Sequence, residues 1–537
     1  SFQEFAGGNA DQFERRPALA HLARLGRAGF VFAREGVLAL VDPKPLPLSA
    51  RMGLRIARLF ERRTTDAATT RLSAALTRLG PTYVKLGQFL ATRPDVVGAA
   101  FARDLESLQD KMAPFPQAES ERMIEEALGE PLEKLFISLG PAVAAASIAQ
   151  VHHADVVSPE GPKPVAVKVL RPGIERRFAV DLDAFMFAAR NAERFSAEAR
   201  RLRLIDVADN LRRTCVMEMD LRLEAAALSE MAENTRNDPD FRVPAVDWDR
   251  TARTVLTLDW IDGIPLSDRA RLDAAGLDLK ALSRAVIQTF LRHALRDGFF
   301  HADMHPGNLF VDPSGKLVAV DFGIMGRLSV KERRFLAEIL YGFITRDYRR
   351  TAEVHFEAGY VPRHHSVDAF AQAIRAIGEP IHNRPADEIS MAKLLMLLFE
   401  VTGLFDMRTR PELILLQKTM VVVEGVARSL DPQLDMWKVA EPVVREWIER
   451  HLGAPGMIEG ATEGVREVGK FFGEVPSLLS RGASLVEQID TITRDGLVLA
   501  PETVAAIGRA EAHRNSRTVV ALWAIAALLA ILIIAVW

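Results

Sequence analysis

The stretch Phe299–Gly323, FFHADMHPGNLFVDPSGKLVAVDFG, decides the fold. Its middle, Asp312-Pro313-Ser314-Gly315, has turn chemistry: Asp can bond the backbone two residues on, Pro presets φ, and Gly tolerates φ > 0. Apolar runs LFV and KLVAV flank it, so a hairpin is predicted over 308–321. Asn308 and Asp321 are nearly equidistant from the hairpin midpoint, and the register makes them cross-strand neighbours. An amide oxygen and a carboxylate meeting at one point suit a hard cation such as Mg²⁺. Asp303 precedes Asn308 by five residues, and Asp321 opens Asp-Phe-Gly. Asp-Phe-Gly alone is a weak signal. Asp-x-x-x-x-Asn, a hairpin and Asp-Phe-Gly, in that order, is a strong one.

That order is the protein-kinase order of catalytic-loop Asp, metal-binding Asn and metal-binding Asp. Upstream, Val165-Ala166-Val167-Lys168 resembles the strand that presents a kinase's phosphate-binding lysine. Such a lysine needs a carboxylate to orient it. Glu218 in VMEMDLRLEAA (216–226) is the candidate, on a helical region predicted over about 175–235. An i,i+4 pair between Glu218 and Arg222 is the competing reading. Asp220 and Glu224, also four apart, would repel unless a cation, Lys85 or Mg²⁺, lay between them. VLTLDWIDGIPL (255–266) reads as a strand with a Gly-containing exit, an adenine hinge in which Asp259 and Ile261 are the expected contacts.

Three features depart from ordinary kinases. The glycine-rich loop is replaced by Ala144-Ala145-Ala146-Ser147-Ile148-Ala149-Gln150-Val151-His152. Alanine keeps its amide but carries a Cβ, so phosphate must approach differently. Nucleotide contacts are expected from Ala144, Ala145, Ala146, Ser147, Gln150 and Val151. A capping box, Ser329-x-x-Glu332, starts a helix six residues after Gly323 and leaves almost no activation loop. In LGPTYVKLGQFLATRPDVV (79–97), Lys85 and Gln88 share a helix face. Gly87 between them costs about 1 kcal/mol against Ala, which a close packing contact would offset.

The rest of the chain bounds the reading. It has 537 residues, 49% hydrophobic and 26% charged, with a net charge of -3. That is enough chain for several domains, and it lacks the basic field of a nucleic-acid binder. The lone cysteine, Cys215, excludes a disulfide framework and reads as a small buried residue. Residues 518–537, TVVALWAIAALLAILIIAVW, carry no charge and as a helix would reach roughly 30 Å, a bilayer's hydrocarbon thickness. Arg509, Arg514 and Arg517 precede it, which predicts a cytoplasmic catalytic domain. The expected layout is a helical extension (1–120), an N-lobe with inserted helices (121–265), a helical C-lobe (266–455), an amphipathic juxtamembrane region (456–517) and a transmembrane helix (518–537).

Together these residues resemble the UbiB/ADCK family of atypical kinases. The matching motifs are Lys85-x-Gly87-Gln88, the Ala-rich loop running into SIAQVH, the VAVK lysine, Glu218-x-Asp220, HADMHPGN and DFG, extended by Glu424, Gly425, Arg428, Asp431 and Pro432. The match covers about 75–535. The resemblance implies an α+β, bilobal protein-kinase-like fold whose helical extension lies over the active site, with Lys85 and Gln88 in the substrate cleft. It implies an ATPase using ATP and Mg²⁺, with Glu218 on Lys168 and Glu224 facing Lys85. It implies anionic membrane lipid and ubiquinone precursors or ubiquinone-biosynthesis enzymes as partners, a homodimer as a candidate assembly, and a place at the inner membrane. A small-molecule kinase of the aminoglycoside or choline type, and a nucleotide-sensing scaffold without turnover, remain the alternatives.

Overall fold

The computed structural model describes residues 18–37, 68–91, 97, 105, 108, 112–195, 197–382, 401, 404–407 and 411–452. The chain divides into a large unit, 1–448, and a second unit, 449–537, of which only the helical residues 449–452 are described. The predicted juxtamembrane region, 456–517, and the predicted span, 518–537, lie outside the described residues. Among the described residues, no helix is long and apolar enough to cross a membrane.

The extension contributes α1 (Ala18–Arg34), α2 (Ala68–Leu79) and α3 (Pro81–Ala91). Their apolar faces build a separate core around Ala28, Leu76, Tyr83, Val84, Leu105 and Leu108. A Cβ on Gly87 would lie 2.7 Å from Leu108 and 2.8 Å from Leu76, so the close packing expected of this glycine is present. Adding even a methyl there would overpack the core at a cost of about 1–3 kcal/mol.

The N-lobe begins with α4 (Gln117–Leu128) and an antiparallel sheet in the order β1 (Ser138–Ala145), β2 (Ala149–Ser158), β3 (Gly161–Leu170), β5 (Val255–Asp259). The turn Ser158-Pro159-Glu160-Gly161-Pro162 joins β2 to β3, with Gly161 at φ 111°. Strand alternation sorts the side chains. Ala154, Val156, Val165, Val167 and Val169 pack with Ile124 of α4 and Phe136. Val151 and Lys168, paired in register, share the opposite face.

The helical region predicted over 175–235 is three longer helices and a short one: α5 (Ile174–Phe195), α6 (Leu204–Glu218) and α7 (Leu221–Asn234), with Ala197–Leu202 between α5 and α6. Asp181 of α5 accepts hydrogen bonds from Arg24 (3.0 Å) and from the Thr82 hydroxyl (2.8 Å), fastening the extension to the lobe. The break between α6 and α7 falls inside VMEMDLRLEAA. Asp220 adopts an extended conformation and caps α7, accepting the Arg222 N–H at 3.1 Å. An Asp that can bond the next turn's amides favours a cap over a helix interior.

The C-lobe holds a sheet in the order β4 (Phe241–Arg242), β9 (Leu317–Ala319), β8 (Leu309–Val311), β6 (Ile264–Pro265), and a ribbon of β7 (Phe299–His301) with β10 (Met325–Arg327). Around these lie α8 (Leu279–Arg292), α9 (Val330–Thr345), α10 (Tyr348–Glu357), α11 (Val367–His382), α12 (Pro411–Leu430) and α13 (Met436–Leu452). One core runs from Leu170 and Leu256 of the N-lobe through Phe290, Phe300 and Phe322 to Val423 and Trp447. Cys215 is buried in it, and burial pushes its thiol up to about 12, with Glu218 adding to the shift.

Candidate active site

The predicted hairpin is present. Asp312 Oδ1 accepts from the Ser314 and Lys316 amides (2.9 and 3.1 Å), Gly315 sits at φ 85°, and Leu309 pairs with Ala319. One step beyond, the Val320 N–H donates to the Asn308 carbonyl at 2.9 Å. Asp321 is therefore one residue past the direct partner of Asn308. It follows at φ 61°, a left-handed conformation uncommon for a residue with a Cβ. Strain of this kind persists where surrounding contacts over-determine it, as at functional sites.

His301 explains how Asp303 is held. The Asp303 N–H donates to His301 Nδ1 (3.1 Å), so that nitrogen must be unprotonated. The other ring nitrogen, Nε2, then carries the proton and donates to the Val320 carbonyl (3.1 Å). Burial, the largest influence, keeps the ring neutral by lowering its pKa. The imidazole thus ties the catalytic loop to the strand before Asp-Phe-Gly, edge-on to Phe322. From below, Thr419 of α12 donates to the Ala302 carbonyl (3.1 Å). Asn308 Nδ2 donates to the Asp303 carbonyl at 3.1 Å, which leaves its amide oxygen unspent.

Lys168 is the centre of the site. Its Nζ lies 2.9 Å from both carboxylate oxygens of Glu224 and 2.9 Å from Asp321 Oδ1. Burial works against its charge, but Asp321 and Glu224 outweigh that and hold the lysine protonated. Lys168 chiefly, with Lys85 assisting, holds the Asp321 carboxyl well below the usual range. Asp321 is ringed by protein atoms, yet 51% of its side chain is open to solvent, so this pair is screened and exchangeable. Glu224 is 7% exposed, and its pairing is the more permanent.

Here the structure reverses an expectation. Glu218 does not orient Lys168; it pairs with Lys85 at 2.7 Å, and Glu224 takes Lys168. The cause is the break at Asp220. Glu218 ends α6, beside α3 and Lys85, whereas α7 packs its Leu221 and Leu228 into the core with Leu170 and Leu256. Nor do Glu218 and Arg222 form an i,i+4 pair, since no helix runs through both. Arg222 folds back onto its own cap residue, Asp220 (2.9 and 2.7 Å). Asp220 and Glu224 therefore need no shared cation.

The Ala-rich loop is corrected in part. Ala144 is exposed and Val151 faces the Lys168 side of the sheet, but Gln150 lies on the other side. Its carboxamide accepts from the Phe115 N–H (2.9 Å) and donates to the Ser120 hydroxyl (2.8 Å), beside buried His152. Gln150 is a structural staple rather than a nucleotide contact, and Ser147 is likewise fully buried. Strand alternation could have shown this, because Gln150 and Lys168 are one register step apart. A residue missed in the sequence is Arg171. It donates to the Ala146 carbonyl (2.9 and 3.0 Å) and to the Ala113 carbonyl (2.8 Å), binding the loop to the segment before α4.

Asp259 ends β5 with its N–H bonded to the Ala245 carbonyl and its carboxylate 2.5 Å from Lys163. Ile261 is half-buried in the following loop. The expected lack of an activation loop is evident. Ile324 and Leu328 bond back to Ala302 and Gly298, and the Ser329–Glu332 capping box then opens α9.

Residues 107–355 match the ABC1 atypical kinase-like domain, and 374–435 match the UbiB helical domain. A protein named "Probable protein kinase UbiB" from Marinobacter nauticus is 39% identical over 82% of this chain and 81% of its own length. Its namesake from Cellvibrio japonicus is 36% identical over 93% of this chain and 91% of its own length. A solved complex of Rv3197 with erythromycin from Mycobacterium tuberculosis has 23% identity and a TM-score of 0.48, covering 74% of this chain and 98% of that one. The chain belongs to the UbiB family, whose members carry the ABC1 atypical kinase-like domain.

Proposed function

We propose that this protein is an Mg²⁺-dependent ATPase or atypical kinase that supports ubiquinone biosynthesis at a membrane. The observation that carries the reading is the meeting of Lys168, Glu224 and Asp321 at one point. A cation held by a buried carboxylate, beside an exchangeable one, is suited to grip phosphate. Incoming phosphate oxygens would replace Asp321 on Lys168 while Glu224 keeps the lysine charged and oriented. Asp321, so released, and the unspent amide oxygen of Asn308 are hard oxygen donors that fit Mg²⁺. The ion would supply charge neutralisation at the phosphates. Asp303, fixed through its amide by His301, would orient or deprotonate the acceptor, a water or a small hydroxyl.

The extension accounts for the preference for hydrolysis over protein phosphorylation. Lys85 is close enough to depress Asp321 and is tied to Glu218, so α3 stands beside the catalytic cleft. With no activation loop between Gly323 and Ser329, a peptide platform has little from which to form. Gln88, one turn on from Lys85, is half-buried on the same helix. Anionic lipid, ubiquinone precursors and a membrane-anchored C-terminus complete the proposal, the anchor on the composition of residues 518–537. The test is ATPase activity of the full chain with and without anionic liposomes, alongside cellular quinone content. A wild-type chain that neither binds nor hydrolyses Mg²⁺-ATP would end this reading. Phosphorylated small metabolites accumulating in place of free phosphate would replace it with the small-molecule kinase.

A further inference from the structure

We propose that His364, His365 and Asp406 form a binding site for a divalent transition-metal ion of the zinc class, remote in sequence from every residue assigned to the nucleotide. The three side chains offer two imidazole nitrogens and a carboxylate oxygen, all within 4.8 Å of one another. His365 Nε2 lies 3.1 Å, and His364 Nε2 3.7 Å, from the same oxygen, Asp406 Oδ2. Two ligands each about 2.1 Å from a tetrahedral ion stand about 3.4 Å apart. The two distances bracket that value, so small side-chain shifts would seat an ion.

The arrangement is built from two segments. His364 and His365 lie in the turn before α11, where the His365 N–H donates to the Pro362 carbonyl at 3.2 Å. Asp406 follows Phe405, which is 6% exposed and packs on Phe370 of α11 (5.0 Å) and on the His365 ring (5.3 Å). Buried Phe405 and Phe370 thus pack the two segments of the site together. Asp406 also adopts φ 48°, left-handed for a residue with a Cβ, at the position that supplies the carboxylate. Two nitrogens and one oxygen suit zinc, cobalt or nickel better than Mg²⁺, which prefers oxygen throughout. An ion here would close a loop of about forty residues and fasten the chain around 406 to the C-lobe. His355, the other nearby histidine, is half-buried, bonds the Thr351 carbonyl and takes no part.

The test uses tag-free full-length protein stripped with a chelator. Equilibrium dialysis with Zn²⁺, and the visible spectrum with Co²⁺, should show one bound equivalent with tetrahedral nitrogen and oxygen ligation. His364→Ala and Asp406→Ala should each weaken binding by at least about tenfold. His365→Gln, which keeps side-chain bulk, should abolish it, with circular dichroism unchanged. Zn²⁺ should raise the melting temperature of the wild type and not of His365→Gln. The proposal fails if the wild type binds no equivalent, or if the three variants bind as tightly as the wild type. It fails equally if the bound ion is lost only in Asp321→Asn, since that would place it in the nucleotide cleft.

Discussion

Two lysine–glutamate pairs sit on the two sides of one helix break, and they differ in what their partners do. Lys168 pairs with Glu224 of α7 and also reaches Asp321, and the proposed function gives it the phosphates. Lys85 pairs with Glu218 at the end of α6 and joins the extension to the inserted helices. Both pairs are largely shielded, at 16% and 7% exposure for the first and 13% and 9% for the second. Burial therefore does not tell them apart. The contact with Asp321 does: Lys168 meets a solvent-open acid that, in the proposed function, phosphate would replace.

The comparison breaks most easily at Asp321. Asp321→Asn should lower ATP turnover on the order of a thousandfold while leaving the melting temperature near that of the wild type. Normal turnover would remove Asp321 from the chemistry and leave the two lysines equivalent. Next comes Glu224→Gln, expected to cost on the order of a hundredfold in turnover by misplacing Lys168. A double-mutant cycle should couple Lys168 to Glu224 by about 1–3 kcal/mol, and Lys168 to Glu218 by less than about 0.5. The reverse result would restore the assignment read from the sequence.

A smaller effect is expected at the other pair. Lys85→Ala should destabilise the fold by about 1.5 kcal/mol, measured by urea unfolding, through the orphaned Glu218 carboxylate. The exchange Lys85→Glu with Glu218→Lys should recover most of that loss, and no recovery would mean the two do not meet. The smallest effect belongs to Cys215. Its thiol, raised to about 12 and buried, should react with maleimide far more slowly than a free cysteine at pH 8. Lys85→Ala should leave that rate unchanged if α3 stays docked. A sharp rise would show that the pair, and not the apolar contacts of α3, holds the extension in place.

The catalytic segment was legible because its geometry is local. Asp312, Ser314 and Gly315 set the turn, the turn set the register, and the register brought Asn308 near Asp321 within fourteen residues of chain. Gly87 was legible for a related reason. A glycine in an apolar helix face needs a close neighbour, and Leu76 and Leu108 are there. Gln150 was misread because a motif was taken as a block, when alternate residues of a strand face opposite ways. Arg171 carried no signal at all. Its role depends on two carbonyls, at Ala113 and Ala146, whose positions no pattern in the sequence records.

The exchange of Glu218 for Glu224 shows where local reading stops. Both glutamates lie in a segment whose residues are good helix formers, and a single uninterrupted helix satisfies their pattern. Whether Asp220 continues that helix or caps a new one is a choice of about 1 kcal/mol in local terms. The choice is made elsewhere, by burying Leu221 and Leu228 against Leu170 and Leu256 in the core beside β3. By itself, the sequence determined the 308–321 hairpin, the strand that carries Lys168, the short segment between Gly323 and Ser329, and the family. The tertiary structure alone decided which carboxylate meets which lysine, because that depends on two helices packing independently, and long-range burial outweighs local preference.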